Sequence, residues 1–257
     1  MILLRSLAFN LWLFVATTVL CLRFGLFSPD RAASLRAGHA WARAVVGGLR
    51  VLCGIDYGVT GTEYLPKSGA ALIAPMHQSA FDTAVWVLLV PDFVYVLKKE
   101  LTYLPLFGHM LGKAGMIAVN RRAGAAAVRE LLRGADAAVA EQRQIVIFPQ
   151  GTRVTPGTWV KLQPGVAALA ARTGLPVIPV ATDSGHHWGR RAFLKRPGTI
   201  QIAVLPPLPP GLPRGELMRR LEEAYKEGYA ALRAPKPVDN SVGSLLRNFA
   251  VQPNRAL

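Results

Sequence analysis

The chain has 257 residues, 51% of them hydrophobic, which is enough for one sizeable core and an accessory segment. Thirty Lys and Arg stand against 15 Asp and Glu, and the net charge of +15 points to anionic partners. A mean hydropathy of +0.29, with no zinc-finger spacing, RNA-recognition signature or continuous basic tail, argues against nucleic acid and for a membrane surface or phosphorylated substrates.

Ser6 to Leu22 is an uncharged, mostly apolar stretch between Arg5 and Arg23, with Trp12 inside and one polar interruption at Asn10. It sits at the short limit for a spanning helix, so spanning and half-inserted arrangements both fit. The residues ahead of Cys21 are Thr18-Val19-Leu20, which lack the small side chains of a cleavage site, so a retained anchor is expected. Cys21 and Cys53 are the only cysteines, both in apolar settings, which argues against a disulfide framework and permits a reducing compartment. Ala32 to Ile55 reads as an amphipathic helix. Arg36, Arg43 and Arg50 lie along one face, and Leu35, Trp41, Val45, Leu49 and Leu52 cover much of the rest. Such a basic stripe beside an apolar one suits a helix in the headgroup layer, an ordinary surface helix with solvated arginines being the alternative. Residues 1–55 are thus expected to be membrane-anchoring helices. If the first helix spans, the arginines after Arg23 place its C-terminal side in the cytoplasm.

From residue 56 the chain alternates. Strands are predicted at Asp56–Thr60, Ala71–Ala74, Phe93–Leu97, Gly115–Val119, Gln144–Phe148, Val177–Ala181 and Thr199–Leu205. Helices fit Ser79–Val90, Leu104–Gly112, Ala123–Glu141, Pro164–Arg172 and Arg214–Leu232. The alternation predicts an α/β domain over 56–233, with a mixed, largely parallel sheet flanked by helices. Pro206 to Pro213 turns the chain into the last helix, and residues 234–257 read as a loosely ordered tail.

Two signatures carry chemistry. His77 follows the strand at Ala71 and is trailed at Asp82 by a carboxylate able to orient its ring; imidazoles are suited to base catalysis at neutral pH. Ser79 and Asp82 also have the form of a capping box, and a capped helix start is a rigid place to hold Asp82 near His77. Phe148-Pro149-Gln150-Gly151-Thr152-Arg153 ends a β-branched run with a glycine, a hydroxyl and a guanidinium, a set suited to gripping phosphate. If the two preceding strands are parallel neighbours, both loops open on one edge of the sheet. Gly115 to Arg122 ends in an arginine pair, and Val177-Ile178-Pro179-Val180 carries a proline; a solvated loop pair and an edge-strand proline are the plain alternatives. There is no G-x-S-x-G nucleophile elbow. His186-His187 lacks further ligands at usable spacing, so no metal is expected.

In order, these blocks resemble those of the glycerolipid acyltransferase superfamily, and in particular the 1-acyl-sn-glycerol-3-phosphate acyltransferases. His77–Asp82 matches the HxxxxD block, Gly115–Arg121 the G-x-x-x-x-(D/N)-R block, Gly151–Arg153 the (E)-G-T-R block, and Val177–Val180 the fourth. Lys98-Lys99-Glu100-Leu101 and Pro105–Gly108 resemble the segment between the first two blocks, and Pro164–Ala167 the stretch after the third; the likeness covers roughly 56–205. Met76 stands where the family usually has Asn, Asn120 where it often has Asp, and Gln150 where it has Glu. The resemblance implies transfer of a fatty acyl group from acyl-CoA or acyl-carrier protein, as co-substrate with no resident cofactor, to the free hydroxyl of a lysophosphatidic acid. His77 and Asp82 are the implied catalytic pair; Lys98, Arg121, Gln150, Gly151, Thr152 and Arg153 are the implied substrate-binding residues. Expected partners are anionic membrane lipids and a lysophospholipid acceptor, with the catalytic domain on the cytoplasmic side of a bacterial inner membrane. A relative acylating lyso-ornithine lipid or glycerol 3-phosphate, or a non-catalytic lipid-binding protein, is the competing reading.

Overall fold

The computed structural model describes residues 1–27 and 30–234; the tail expected at the C-terminus lies, from 235 on, outside the described residues. All seven expected strands form: β1 (Ile55–Thr60), β2 (Ala71–Pro75), β3 (Phe93–Lys98), β4 (Ile117–Val119), β5 (Gln144–Val146), β6 (Val177–Thr182) and β7 (Gly198–Val204). They make one sheet of order β1-β7-β6-β2-β5-β3-β4. Every neighbouring pair is parallel except β6 with β7, so β1 and β7 run against the other five.

The central position of β2 explains its unbroken apolar sequence. Ala71 and Ile73 face one layer, Leu72 and Ala74 the other, and all five residues of the strand are buried. A strand covered on both faces has no solvent side on which to alternate polar residues. The first layer holds α2 (Arg31–Gly48), which continues as a π-helical turn over Leu49–Cys53, and α3 (Phe81–Leu89). After α4 (Phe107–Lys113), the second layer is built by α5 (Ala125–Ala140), α6 (Gly165–Thr173) and α7 (Arg214–Arg233). Pro179 is not at a sheet edge, because β6 lies between β2 and β7. Its carbonyl accepts from the Leu205 N–H, so its missing N–H also faces the end of β7, where the ladder stops at Val204.

The helix pair at the N-terminus divides its roles. Val45, Leu49, Leu52, Leu35 and Trp41, the apolar stripe expected to meet lipid, pack into the core, while Arg36, Arg43 and Arg50 stay exposed. The uncovered apolar surface belongs instead to α1 (Ile2–Phe27), where Leu4, Leu7, Leu11 and Phe14 are exposed. The opposite side of α1 is tied to the body. Phe9 is fully buried, the Trp12 indole donates to the Ala44 carbonyl (2.9 Å), and Thr17 accepts from the Trp41 indole (3.0 Å). Ile2–Phe24 is long and apolar enough to cross a bilayer, yet these contacts lay the helix along the protein surface.

At the edge where the parallel strands begin, a buried arginine closes the sheet. Arg143 donates to Asp92 (2.9 Å) and to the carbonyls of Phe93, Ala114 and Gly115 (2.9 to 3.2 Å), while Asp92 also pairs with Arg31 of α2 at 2.7 Å. This explains the glycine at 115. Its φ is +67°, and a Cβ there would lie 2.8 Å from the Arg143 guanidinium. Arg143→Ala leaves several buried carbonyls unpaired and is expected to destabilise the fold by about 3 kcal/mol. Chemical unfolding in detergent measures this, and Arg143→Lys should rescue little because an ammonium lacks the guanidinium's fork.

Candidate active site

Because β2, β3, β4 and β5 are parallel neighbours, their C-terminal ends share one edge. That edge collects His77 after β2, Lys98 at the end of β3, Arg121 after β4, and Gln150 to Arg153 after β5.

His77 is positioned on three sides. Its Nδ1 lies 3.1 Å from Oδ2 of Asp82, and the same oxygen accepts from the N–H groups of Gln78 (2.7 Å) and Ser79 (2.8 Å). Ser79 Oγ accepts in turn from the Phe81 N–H, so the capping pattern forms although the regular helix starts at Phe81. Asp82 is therefore both cap and ring partner. A carboxylate only accepts, so Nδ1 carries the hydrogen and Nε2 keeps its lone pair. The ring stacks on Phe148, centroids 4.1 Å apart, and Tyr95 stacks behind Phe148 at 6.1 Å. Burial, together with the Asp82 charge, pushes the Tyr95 phenol well above its ordinary range, and its hydroxyl donates to the Thr83 carbonyl. Gln78, next to His77, accepts from the Gly185 N–H at 3.1 Å, which ties the loop to the end of β6 as well.

The two motif loops are joined at the backbone. The His77 N–H donates to Gln150 Oε1 (2.6 Å), and the His77 carbonyl accepts from the Val154 N–H (2.8 Å). Gln150 is only 4% exposed, so it faces the His77 main chain and not the open edge. This accounts for Gln in place of the family's Glu, since the contact needs one acceptor oxygen and either side chain supplies it. Gly151 also serves differently from the expected backbone donor. Its N–H is engaged by the Phe148 carbonyl, and its own carbonyl accepts from Arg121. With φ at +70°, and a would-be Cβ 3.3 Å from the Arg121 guanidinium, the position requires glycine. Asn120 accepts from the Arg122 N–H (3.1 Å), shaping the turn that carries Arg121, a task any acceptor side chain performs there.

Thr152 and Lys98 are exposed. Arg153 is half-buried and has no ion pair among the described residues, which leaves a cation open to an anionic ligand. Beside this edge lies a cavity of about 200 Å³ lined by Val96, Val119, Val128, Leu131, Ile147 and Phe148, with Arg121 and Gly151 also on its wall. Phe148 thus separates the His77 ring from an apolar chamber. Nothing in the sequence marks Phe148 or Gln78 for these parts. The only signal for Phe148 is its place two residues beyond Val146, on the same face as Tyr95. Among the described residues no three His, Cys, Asp or Glu side chains gather as metal ligands would. His186 instead bonds the Tyr229 hydroxyl at 2.8 Å, and His187 the Arg196 carbonyl at 3.0 Å.

Comparison with known proteins agrees with this arrangement. Residues 56–183 match the family model described as Acyltransferase. The chain is 34% identical to the 1-acyl-sn-glycerol-3-phosphate acyltransferase of Pseudomonas aeruginosa over 69% of each protein. It is 28% identical to the mouse 1-acyl-sn-glycerol-3-phosphate acyltransferase alpha over 62% of this chain and 57% of that one. Its fold matches the crystal structure of the 1-acyl-sn-glycerophosphate acyltransferase PlsC from Thermotoga maritima with a TM-score of 0.72, covering 92% of this chain and 98% of that one at 23% identity. With an imidazole, a carboxylate and cations gathered on one sheet edge, this chain belongs to the 1-acyl-sn-glycerol-3-phosphate acyltransferase family and is an acyltransferase.

Proposed function

We propose that the protein transfers a fatty acyl group from the thioester of acyl-CoA or acyl-carrier protein to the free hydroxyl of 1-acyl-sn-glycerol 3-phosphate, giving phosphatidic acid. The observation that carries this reading is the His77–Asp82 pair, with Nδ1 held by the carboxylate and Nε2 left as the base, on the same edge as Arg153, which has no ion pair among the described residues, and an apolar cavity. Nε2 takes the hydroxyl proton as the oxygen attacks the thioester carbonyl. The tetrahedral intermediate then collapses, the C–S bond breaks, and the imidazolium returns its proton to the leaving thiolate. Asp82 stabilises the imidazolium without being protonated. Arg153, with Arg121 behind it, takes the acceptor phosphate, and the cavity takes a fatty chain. The reading calls for no resident cofactor.

The exposed apolar face of α1 supports a lipid surface as the setting of this chemistry. Ser6, Asn10, Trp12 and Thr17 bond to the body, so the helix enters lipid sideways by Leu4, Leu7, Leu11 and Phe14. The site then works on acceptors held in one leaflet, and we assign it to the cytoplasmic face of a bacterial inner membrane.

Replacing His77 with Ala should lower turnover about 10²–10⁴-fold with little change in lysolipid binding. Asp82→Asn keeps an acceptor for the Gln78 and Ser79 N–H groups but loses the charge, so turnover should fall by roughly 10² or more while the melting temperature holds. A variant of near-normal turnover would reduce Asp82 to a cap. Arg153→Lys should raise KM for phosphorylated acceptors with kcat nearly kept, because a point charge replaces a planar fork; steady-state kinetics on lysophosphatidic acid reads this, and an unchanged KM removes Arg153 from the site.

The buried place of Gln150 generates a separate test. Gln150→Glu retains an acceptor for the His77 N–H and should stay within a few-fold of wild-type turnover, whereas Gln150→Leu leaves that N–H unpaired, at about 1–3 kcal/mol, and should lower kcat more than it raises KM. Equal kcat in Gln150→Leu and wild type would show that the clamp does not position the base.

A further inference from the structure

The segment from His187 to Arg196, between the short 3₁₀ turn after β6 and the start of β7, takes no part in the chemistry above. Its base is closed by the Arg196 N–H donating to the His187 carbonyl at 2.8 Å. Its tip turns through Arg191, at φ 55°, with the Ala192 N–H on the Gly189 carbonyl at 3.1 Å.

Lys195 fixes the segment to α1. It is a lysine only 2% exposed, and its Nζ donates to Asn10 Oδ1 (2.5 Å) and to the Phe193 carbonyl (2.8 Å). The ammonium lies 5.4, 5.1 and 5.5 Å from the ring centroids of Phe9, Trp188 and Phe193, and no carboxylate pairs with it among the described residues. The main-chain N–H of Lys195 donates to Ser6 Oγ at 2.9 Å. Desolvation in this aromatic surround lowers its pKa from the ordinary lysine value.

With Lys195 turned inward, its neighbours turn out. Phe193 is 47% and Leu194 41% exposed, next to α1, whose Asn10 Nδ2 donates to the Phe193 carbonyl at 3.5 Å. Arg190, Arg191 and Arg196 flank them, exposed and without an ion pair among the described residues. Two exposed apolar side chains next to α1, flanked by cations, fit a surface that is oily beneath and anionic above.

We propose that this segment is a second membrane-inserting element, in which Phe193 and Leu194 enter the acyl layer of an anionic phospholipid surface beside α1 while Arg190, Arg191 and Arg196 take the headgroup phosphates. The proposal rests on the reading of α1 as lipid-embedded and adds a contact some 180 residues away in sequence. It divides the two contributions between different side chains. Apolar insertion is independent of lipid charge and salt, and the arginine contribution depends on both.

The test is flotation of the full-length protein with vesicles of phosphatidylethanolamine, with and without phosphatidylglycerol. Phe193→Ser/Leu194→Ser should lower partitioning at least about tenfold on both compositions and at high salt. Arg190→Gln/Arg191→Gln/Arg196→Gln should lose up to about fivefold per residue on phosphatidylglycerol vesicles only, the loss shrinking as salt rises. All five positions are exposed, so both variants should melt in detergent at the wild-type temperature. A control, Leu7→Ser/Phe14→Ser, separates the two readings. If it releases the protein while both segment variants float like wild type, α1 remains the anchor and this proposal is overturned. If wild type itself does not float, both fall.

Discussion

The main chain of one residue organises the edge where the motif loops meet. His77 is held from both sides by the loop after β5, its N–H on the Gln150 side chain and its carbonyl on the Val154 N–H. The loop proposed to hold the phosphate is thereby part of the mounting of the proposed base. The clamp is possible because β2 and β5 are adjacent and parallel, so their loops emerge side by side. Arg121, bonded to the Gly151 carbonyl, brings the end of β4 into the same unit. Under the proposed mechanism, preorganisation of this kind holds the imidazole at a fixed distance from the bound anion.

Much of this is legible in the residues. Both sides of the central strands are covered by helices, so they appear as unbroken apolar runs, and the loops after them carry the charged motifs. The pairing of the two signatures comes from the expectation of parallel neighbours. The ambiguity at Asp82, cap or ring partner, dissolves because one oxygen serves both. Less legible are contacts made by residues whose types have a plain local explanation. Arg143 comes after Glu141 and Gln142 and has the look of a polar turn; it is buried because the starts of β3 and β4 present their carbonyls to its guanidinium. Phe148 reads as the end of a strand, and its stacking on His77 depends on a loop seventy residues earlier.

The N-terminal helices show a different limit. An apolar stripe reports only that water is to be avoided, and a protein core and a bilayer satisfy it equally. The stripe of α2 is satisfied by α3 and the sheet, whereas that of α1 is left uncovered. The sequence pattern is therefore right about amphipathicity, and only packing decides which helix presents its apolar side outward.

The docking of α1 also sets an order on synthesis. Ser6 and Asn10 find their partner in Lys195, and Ile55 opens β1 against Gly198, so the first sixty residues complete their contacts only with the last strand. At roughly 5–20 residues per second, a nascent α1 waits on the order of 10–40 s for Trp188 and Lys195 to be made. During that interval α2 can already cover part of its protein-facing side, through Trp12 and Thr17, while Phe9 waits for Trp188 and the outer apolar face stays uncovered. With α1 at a bilayer, as proposed, attachment comes first and the sheet closes afterwards onto a helix already in place, which spares the ribosome-bound chain a long exposure of Leu4, Phe9 and Phe14 to water.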